Sequence, residues 1–74
     1  MAVLDEKRRS QAVVLFRALR DAGAVGMSWT ECWAAGQGVS EWEVGPVIVW
    51  MRGRGVEVRA EYDTVGGETR FYIG

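Results

Sequence analysis

The side chains in this sequence that could do acid–base chemistry are carboxylates and little else. There is no His, no Asn and a single Cys, which removes every Ser–His or Cys–His nucleophile arrangement and most metal-ligand sets. Glu41 and Glu43 are two apart in a helical stretch and so point to different sides, while Glu57 and Glu61 share the exposed face of a strand with Arg59 between them. No cleft is signalled around either pair, so all four read as solvated surface rather than as an acid–base couple. No catalytic residue, metal or cofactor is expected, and the chain is not expected to be an enzyme. Gly53-Arg54-Gly55 is no phosphate loop, because it follows a helix and precedes a strand, the reverse of the order that aims helix amides at a phosphate. What remains is guanidinium chemistry. Lys7, Arg8 and Arg9 read as a solvated helix face paired with Asp5 and Glu6, whereas Arg52, Arg54, Arg59 and Arg70 could flank one surface and contact phosphates.

Two capping signatures set the elements that would carry those arginines. Ser28-Trp29-Thr30-Glu31 and Ser40-Glu41-Trp42-Glu43 lie twelve residues apart, with Gly36-Gln37-Gly38-Val39 between them. In a capping box the Ser side chain accepts from the amide three residues on, and the Glu there reaches back to the Ser amide, so each signature marks a helix start. The spacing leaves room for a helix of about two turns, a tight turn and a second helix, the geometry of a helix-turn-helix. Upstream, Ala12, Leu15, Phe16 and Leu19 recur at helical spacing and predict an amphipathic helix from about Asp5 to Ala22, with Asp5, Glu6, Arg17 and Arg20 placed to suit its dipole. Downstream, Val56, Val58, Ala60 and Tyr62 alternate with charged residues, Gly66-Gly67 supplies a turn, and Thr69, Phe71 and Ile73 alternate again, which predicts a hairpin.

The order helix, helix-turn-helix, hairpin resembles a winged helix-turn-helix domain, and the resemblance covers nearly the whole chain. Ala34 fills the small position before the turn glycine Gly38, Val39 and Ser40 follow it, and Val44 and Val47 fill the branched apolar positions that seat the second helix. Two positions depart from the pattern. Gln37 stands where an apolar residue is usual, and Pro46 lies inside the second helix, where it should kink the helix or confine its regular part to the residues after it. The close of the hairpin, Gly-Glu-Thr-Arg-Phe-Tyr-Ile, resembles the wing of many bacterial winged-helix regulators. The fold class implied is α+β: a three-helix core with a recognition-like helix over about 40–53 and a wing over about 56–73, in one domain spanning 1–74.

The resemblance implies binding to double-stranded DNA, as a small transcriptional regulator of phage or bacterial type and as a dimer. By position the groove-facing residues would be Ser40, Glu41, Trp42, Gly45 and Pro46, with Val49 within reach and Arg52, Arg54 and Arg70 on phosphates. Nine basic against ten acidic residues give a net charge of −1, which is not the basic face usual in such binders. None of the groove-facing positions is Arg, Lys, Asn or Gln, the side chains that pair with guanine or adenine. The alternative is a winged-helix module that docks on a protein through Trp42, Pro46 and Val49 and binds no DNA.

The remaining aromatics read mostly as core. Helical spacing places at least two of Trp29, Trp33 and Trp50 inside, while Trp42 is either a staple against the turn or an exposed contact residue. Ile48 and Met51 read as core filler, Tyr62 and Phe71 as a cross-strand pair, and Asp63 as facing Arg70. Cys32, alone and within a helix, reads as a small buried apolar residue. No stretch is apolar for the length of a membrane span and the first residues lack the order of a signal peptide, so a cytoplasmic protein is expected.

Overall fold

The computed structural model describes residues 2–73, with side chains from residue 6 onward. Asp5, half of the expected acidic start of the first helix, therefore lies outside the described side chains. The elements are α1 (Ala2–Ala22), a short 3-10 turn (Gly23–Val25), β1 (Met27–Ser28), α2 (Trp29–Ala35), α3 (Val44–Gly53), β2 (Val58–Asp63) and β3 (Glu68–Ile73). This is an α+β arrangement, compatible with a helix-turn-helix followed by a hairpin wing. Among the described residues no helix is long and apolar enough to cross a membrane.

The stripe Ala12, Leu15 and Leu19 of α1 buries against Cys32 of α2, Val44, Val47, Ile48 and Met51 of α3, and Val58 and Phe71 of the hairpin. The first capping box forms as expected: the Ser28 hydroxyl accepts from the Glu31 amide at 3.1 Å and the Glu31 carboxylate accepts from the Ser28 amide at 2.8 Å. Gly38 has φ +89° in the turn, as its place after α2 requires. At its far end α3 closes by the Gly55 amide donating to Arg52 and the Val56 amide to Met51, the paired bonds of a glycine-terminated helix.

The second capping box does not form. α3 begins at Val44, its N-cap is Glu43, and Glu43 makes no side-chain capping bond. Ser40 to Glu43 is loop instead. This puts Pro46 in the first turn of α3, where its missing amide is one that has no partner inside a helix anyway, so no kink follows. Ala34 is exposed rather than wedged between helices, because the chain leaves the helix one residue later. The close approach is made by Gly36, which is buried beneath the Trp42 ring.

The sheet is antiparallel in the order β1-β3-β2, so β3 is central: Phe71 pairs with Met27 on one side and Ala60 on the other. β1 was not legible in the sequence. The expected pairing of Tyr62 with Phe71 is replaced by Tyr62 with Thr69. Along β2 only Val58 is buried, and Ala60 and Tyr62 are exposed, β2 being an edge strand whose partner β3 supplies the buried Phe71.

Candidate functional site

The loop before α3 decides which surface the helix presents. Gln11 of α1 is polar yet 2% exposed, and its Nε2 donates to the carbonyls of Ser40 at 2.8 Å and Glu41 at 3.1 Å. Its Oε1 accepts from Arg8 at 2.8 Å, so the buried amide is satisfied at both ends. Glu41 takes φ +56°, a left-handed backbone that L side chains seldom adopt, and its carboxylate pairs with Lys7 at 2.7 Å. Lys7 and Arg8 are thus not turned toward Glu6 as expected; they hold the loop. The Lys7 ammonium, more by its hydrogen bond than by bare charge, holds the Glu41 carboxyl below the usual carboxylate range. Trp42, half-buried, packs against the core and Gly36. Of its two readings, the staple against the turn is the one realised. Ser40, Glu41 and Trp42 therefore do not form the exposed start of a helix.

The face that is exposed is apolar and includes two of the three tryptophans of which at least two are expected inside, so that expectation fails. Trp29 and Trp33, four apart on α2, are 44% and 53% exposed; Trp29 tilts its ring against the core Phe71 at 6.1 Å between centroids while leaving its other side in solvent, and Trp50 packs on the core from α3. Cys32, one turn on from Trp29 on the adjoining inward side of the same short helix, takes the fully buried core position. A Cβ added at Gly45 would lie 3.8 Å from the Trp29 ring, so Trp29 bridges α2 to the first turn of α3. Val49, one turn on from Gly45, is 68% exposed, and Pro46 is exposed beside them. Trp29 and Trp33 lie one turn apart on α2 and Pro46 and Val49 one turn apart on α3, and the approach of Trp29 to Gly45 sets these exposed apolar pairs side by side as a strip across both helices, with the exposed Glu43 at the N-cap of α3. Trp42 is not part of it.

Two of the three arginines expected on phosphates are engaged with the backbone. Arg52 donates through Nε and Nη2 to the Val58 carbonyl at 3.1 and 2.7 Å, fastening α3 to β2. Arg70 donates through Nη1 to the Val25 and Gly26 carbonyls at 3.0 and 3.2 Å and lies 3.7 Å from Glu31 and 3.9 Å from Asp63. The expected Asp63 partner is present, but it is the weaker part of what holds Arg70. Arg54 stacks over the Trp50 ring at 4.8 Å, and Arg59 lies over Tyr72 at 5.2 Å and beside Glu61 at 3.8 Å. The hairpin tip, residues 64–67, carries no charged side chain.

The start of α2, where a phosphate could otherwise meet free amides, is already filled by carboxylates. Glu68 accepts from the Thr30 amide at 3.1 Å and from its hydroxyl, and Glu31 accepts from Ser28. The Ser28 amide, opposed by slight burial and helped by Arg70, keeps the Glu31 carboxyl below its ordinary range. Burial, with a smaller push from Glu31, raises the Cys32 thiol to about 11. Among the described residues no cluster of His, Cys, Asp or Glu could hold a metal. Comparison with family models, with curated proteins and with solved structures returns no match, so geometry alone carries the functional reading.

Proposed function

We propose that this chain is a winged-helix module that works by docking the α2–α3 face on a partner protein. The observation that carries this is the exposed strip of Trp33, Trp29, Pro46 and Val49. Tryptophans are preferred anchors at protein interfaces, and adjacent exposed apolar side chains of this size are costly to leave in water. Glu43 at the edge favours a partner whose apolar patch has basic residues around it. None of Trp33, Trp29, Pro46 and Val49 is a side chain suited to guanine or adenine, and acidic groups stand at the starts of both α2 and α3, where DNA would bring phosphates. Binding to double-stranded DNA is the second reading, favoured by the order of helix, helix-turn-helix and hairpin.

One experiment separates the two. A photo-crosslinking amino acid is placed at Trp33 and, as a control, at Val25, which is 72% exposed on another surface. In lysate of the cells that make the chain naturally, one discrete protein adduct identified from position 33 and absent from position 25 is the expected result. It should vanish when Val49→Ser is added. Anisotropy with a labelled mixed-sequence duplex runs in parallel. Binding that weakens steeply with salt, with no adduct at position 33, would overturn protein docking in favour of DNA.

A further inference from the structure

A second surface, independent of the α2–α3 face, lies between α1 and α3. Here the two helices leave an open groove of about 310 Å³. Its floor is made by Val13, Phe16 and Trp50, and its rim carries Arg9, Arg17 and Arg20. The arginines follow from the helical repeat: Arg9, Val13, Arg17 and Arg20 follow one another at spacings of four, four and three, with Phe16 between Val13 and Arg20 on the same face, beside the core stripe of α1. Arg20 leans over the Phe16 ring at 5.9 Å. Among the described residues, none of the three guanidinium groups has a carboxylate within ion-pair distance. The surface is thus apolar at the bottom and cationic along its edge, with the charges spread from Arg9 to Arg20, roughly 16 Å of helix.

We propose that this groove takes an acidic amphipathic helix of a partner protein. An apolar stripe would cover Val13, Phe16 and the Trp50 ring, while carboxylates repeated along the helix would meet guanidinium groups that have no carboxylate partner among the described residues. The spread of the charges discriminates among ligands. A fatty acid brings one carboxylate and would leave most of the rim unmet. Duplex DNA brings phosphates but nothing to cover the apolar floor, and a flat bilayer surface does not reach into a groove. The chain's own helices do not fit: α2 has seven residues, too few for three turns, α3 carries no carboxylate, and α1 has its apolar stripe Ala12, Leu15 and Leu19 already buried in the core.

The probe is a synthetic peptide of about 14 residues with Leu on one helical face and Glu on the other, titrated by calorimetry against the intact chain. A peptide of the same composition in shuffled order is the control. Saturable binding is expected, at least about tenfold tighter than for the shuffled peptide, and weakened at least about tenfold by the double change Arg9→Glu and Arg17→Glu. These side chains are exposed, so the variant should keep the wild-type melting midpoint. Val13→Ser, which alters the floor and no charge, should weaken binding as well. Equal binding of the shuffled peptide would reduce the groove to a charged surface and overturn the proposal. So would the absence of binding, or tighter binding of dodecanoate, anionic vesicles or a DNA duplex. Concentration-dependent self-association abolished by the double variant would assign the groove to a second copy instead. Loss of the adduct at position 33 without loss of peptide binding would leave this groove standing while the α2–α3 reading fell.

Discussion

Trp42 lies so close over Gly36 that a Cβ built on the glycine would fall 1.9 Å from the indole ring. The glycine has φ −99°, an ordinary backbone, so its requirement is one of space and not of conformation. Gly36→Ala should therefore displace Trp42 and destabilise the fold by about 1–3 kcal/mol, the range for overfilling a packed site. In a domain this small that is a fall of several degrees in the melting midpoint, measurable by circular dichroism. Trp42→Leu in the Gly36→Ala background should recover part of the loss. A Gly36→Ala variant that melts like the wild type would mean that this contact does not hold the loop.

Gln11 supplies the opposite kind of constraint, a buried amide serving two carbonyls. Gln11→Leu has similar bulk but no donor, and should cost about 1–3 kcal/mol by leaving the Ser40 and Glu41 carbonyls unsatisfied. Amide exchange of residues 40–43 should quicken well before the rest of the chain. Glu41→Gly acts in the other direction, since glycine takes φ +56° without the Cβ penalty. It should raise the melting midpoint even though the Lys7 pair is lost, and a lower midpoint would show that the pair outweighs the backbone.

Acid should loosen the molecule through two carboxyls. Glu31 and Glu41 both titrate below the ordinary value of 4.5 in the folded chain, held there by the Ser28 amide and by Lys7. A carboxyl depressed on folding contributes stability that is fully present above its unfolded value and drains as pH falls through the folded one. Chemical denaturation midpoints should therefore be flat with respect to these two groups near neutrality and decline below about pH 4.5. Glu31→Gln keeps a side-chain acceptor for the Ser28 amide but no charge to titrate, so its decline should be shallower. An unchanged acid slope would remove Glu31 as a contributor.

Cys32 should be inert in the native state. It is fully buried and its thiol is pushed up to about 11, so at neutral pH there is almost no thiolate and no path to it. A disulfide reagent should label it only as fast as the fold opens, and the labelling rate should rise with denaturant in step with unfolding. Prompt stoichiometric labelling at neutral pH would contradict this.

The sequence makes α1, α2 and the hairpin legible because their signals are local: an apolar stripe, a capping box, alternation around a glycine pair. It misleads where an outcome depends on distant partners. Ser28 to Glu31 and Ser40 to Glu43 carry the same capping pattern, yet only the first forms, because Gln11 claims the Ser40 and Glu41 carbonyls and Trp42 must reach Gly36. Periodicity puts Trp29 and Trp33 on one face of α2 but does not say which face the core takes. Arg52 and Arg70 read as available charges because the carbonyls they bind belong to other elements. Gln11 did leave a trace: it continues the stripe of Leu15 and Leu19 at four-residue spacing, and a polar residue there signals a buried partner.

The position of β3 has a consequence for how the chain is made. Its Phe71 sits between Met27 and Ala60, and its Arg70 fastens the segment after α1, so residues some 44 positions earlier depend on it. Synthesis delivers α1 and α2 first, with their apolar faces open and no sheet to close them. The cooperative fold cannot assemble on the ribosome until residue 71 has emerged, and during that interval the nascent chain is at its most exposed to chaperones and to mispairing with its neighbours.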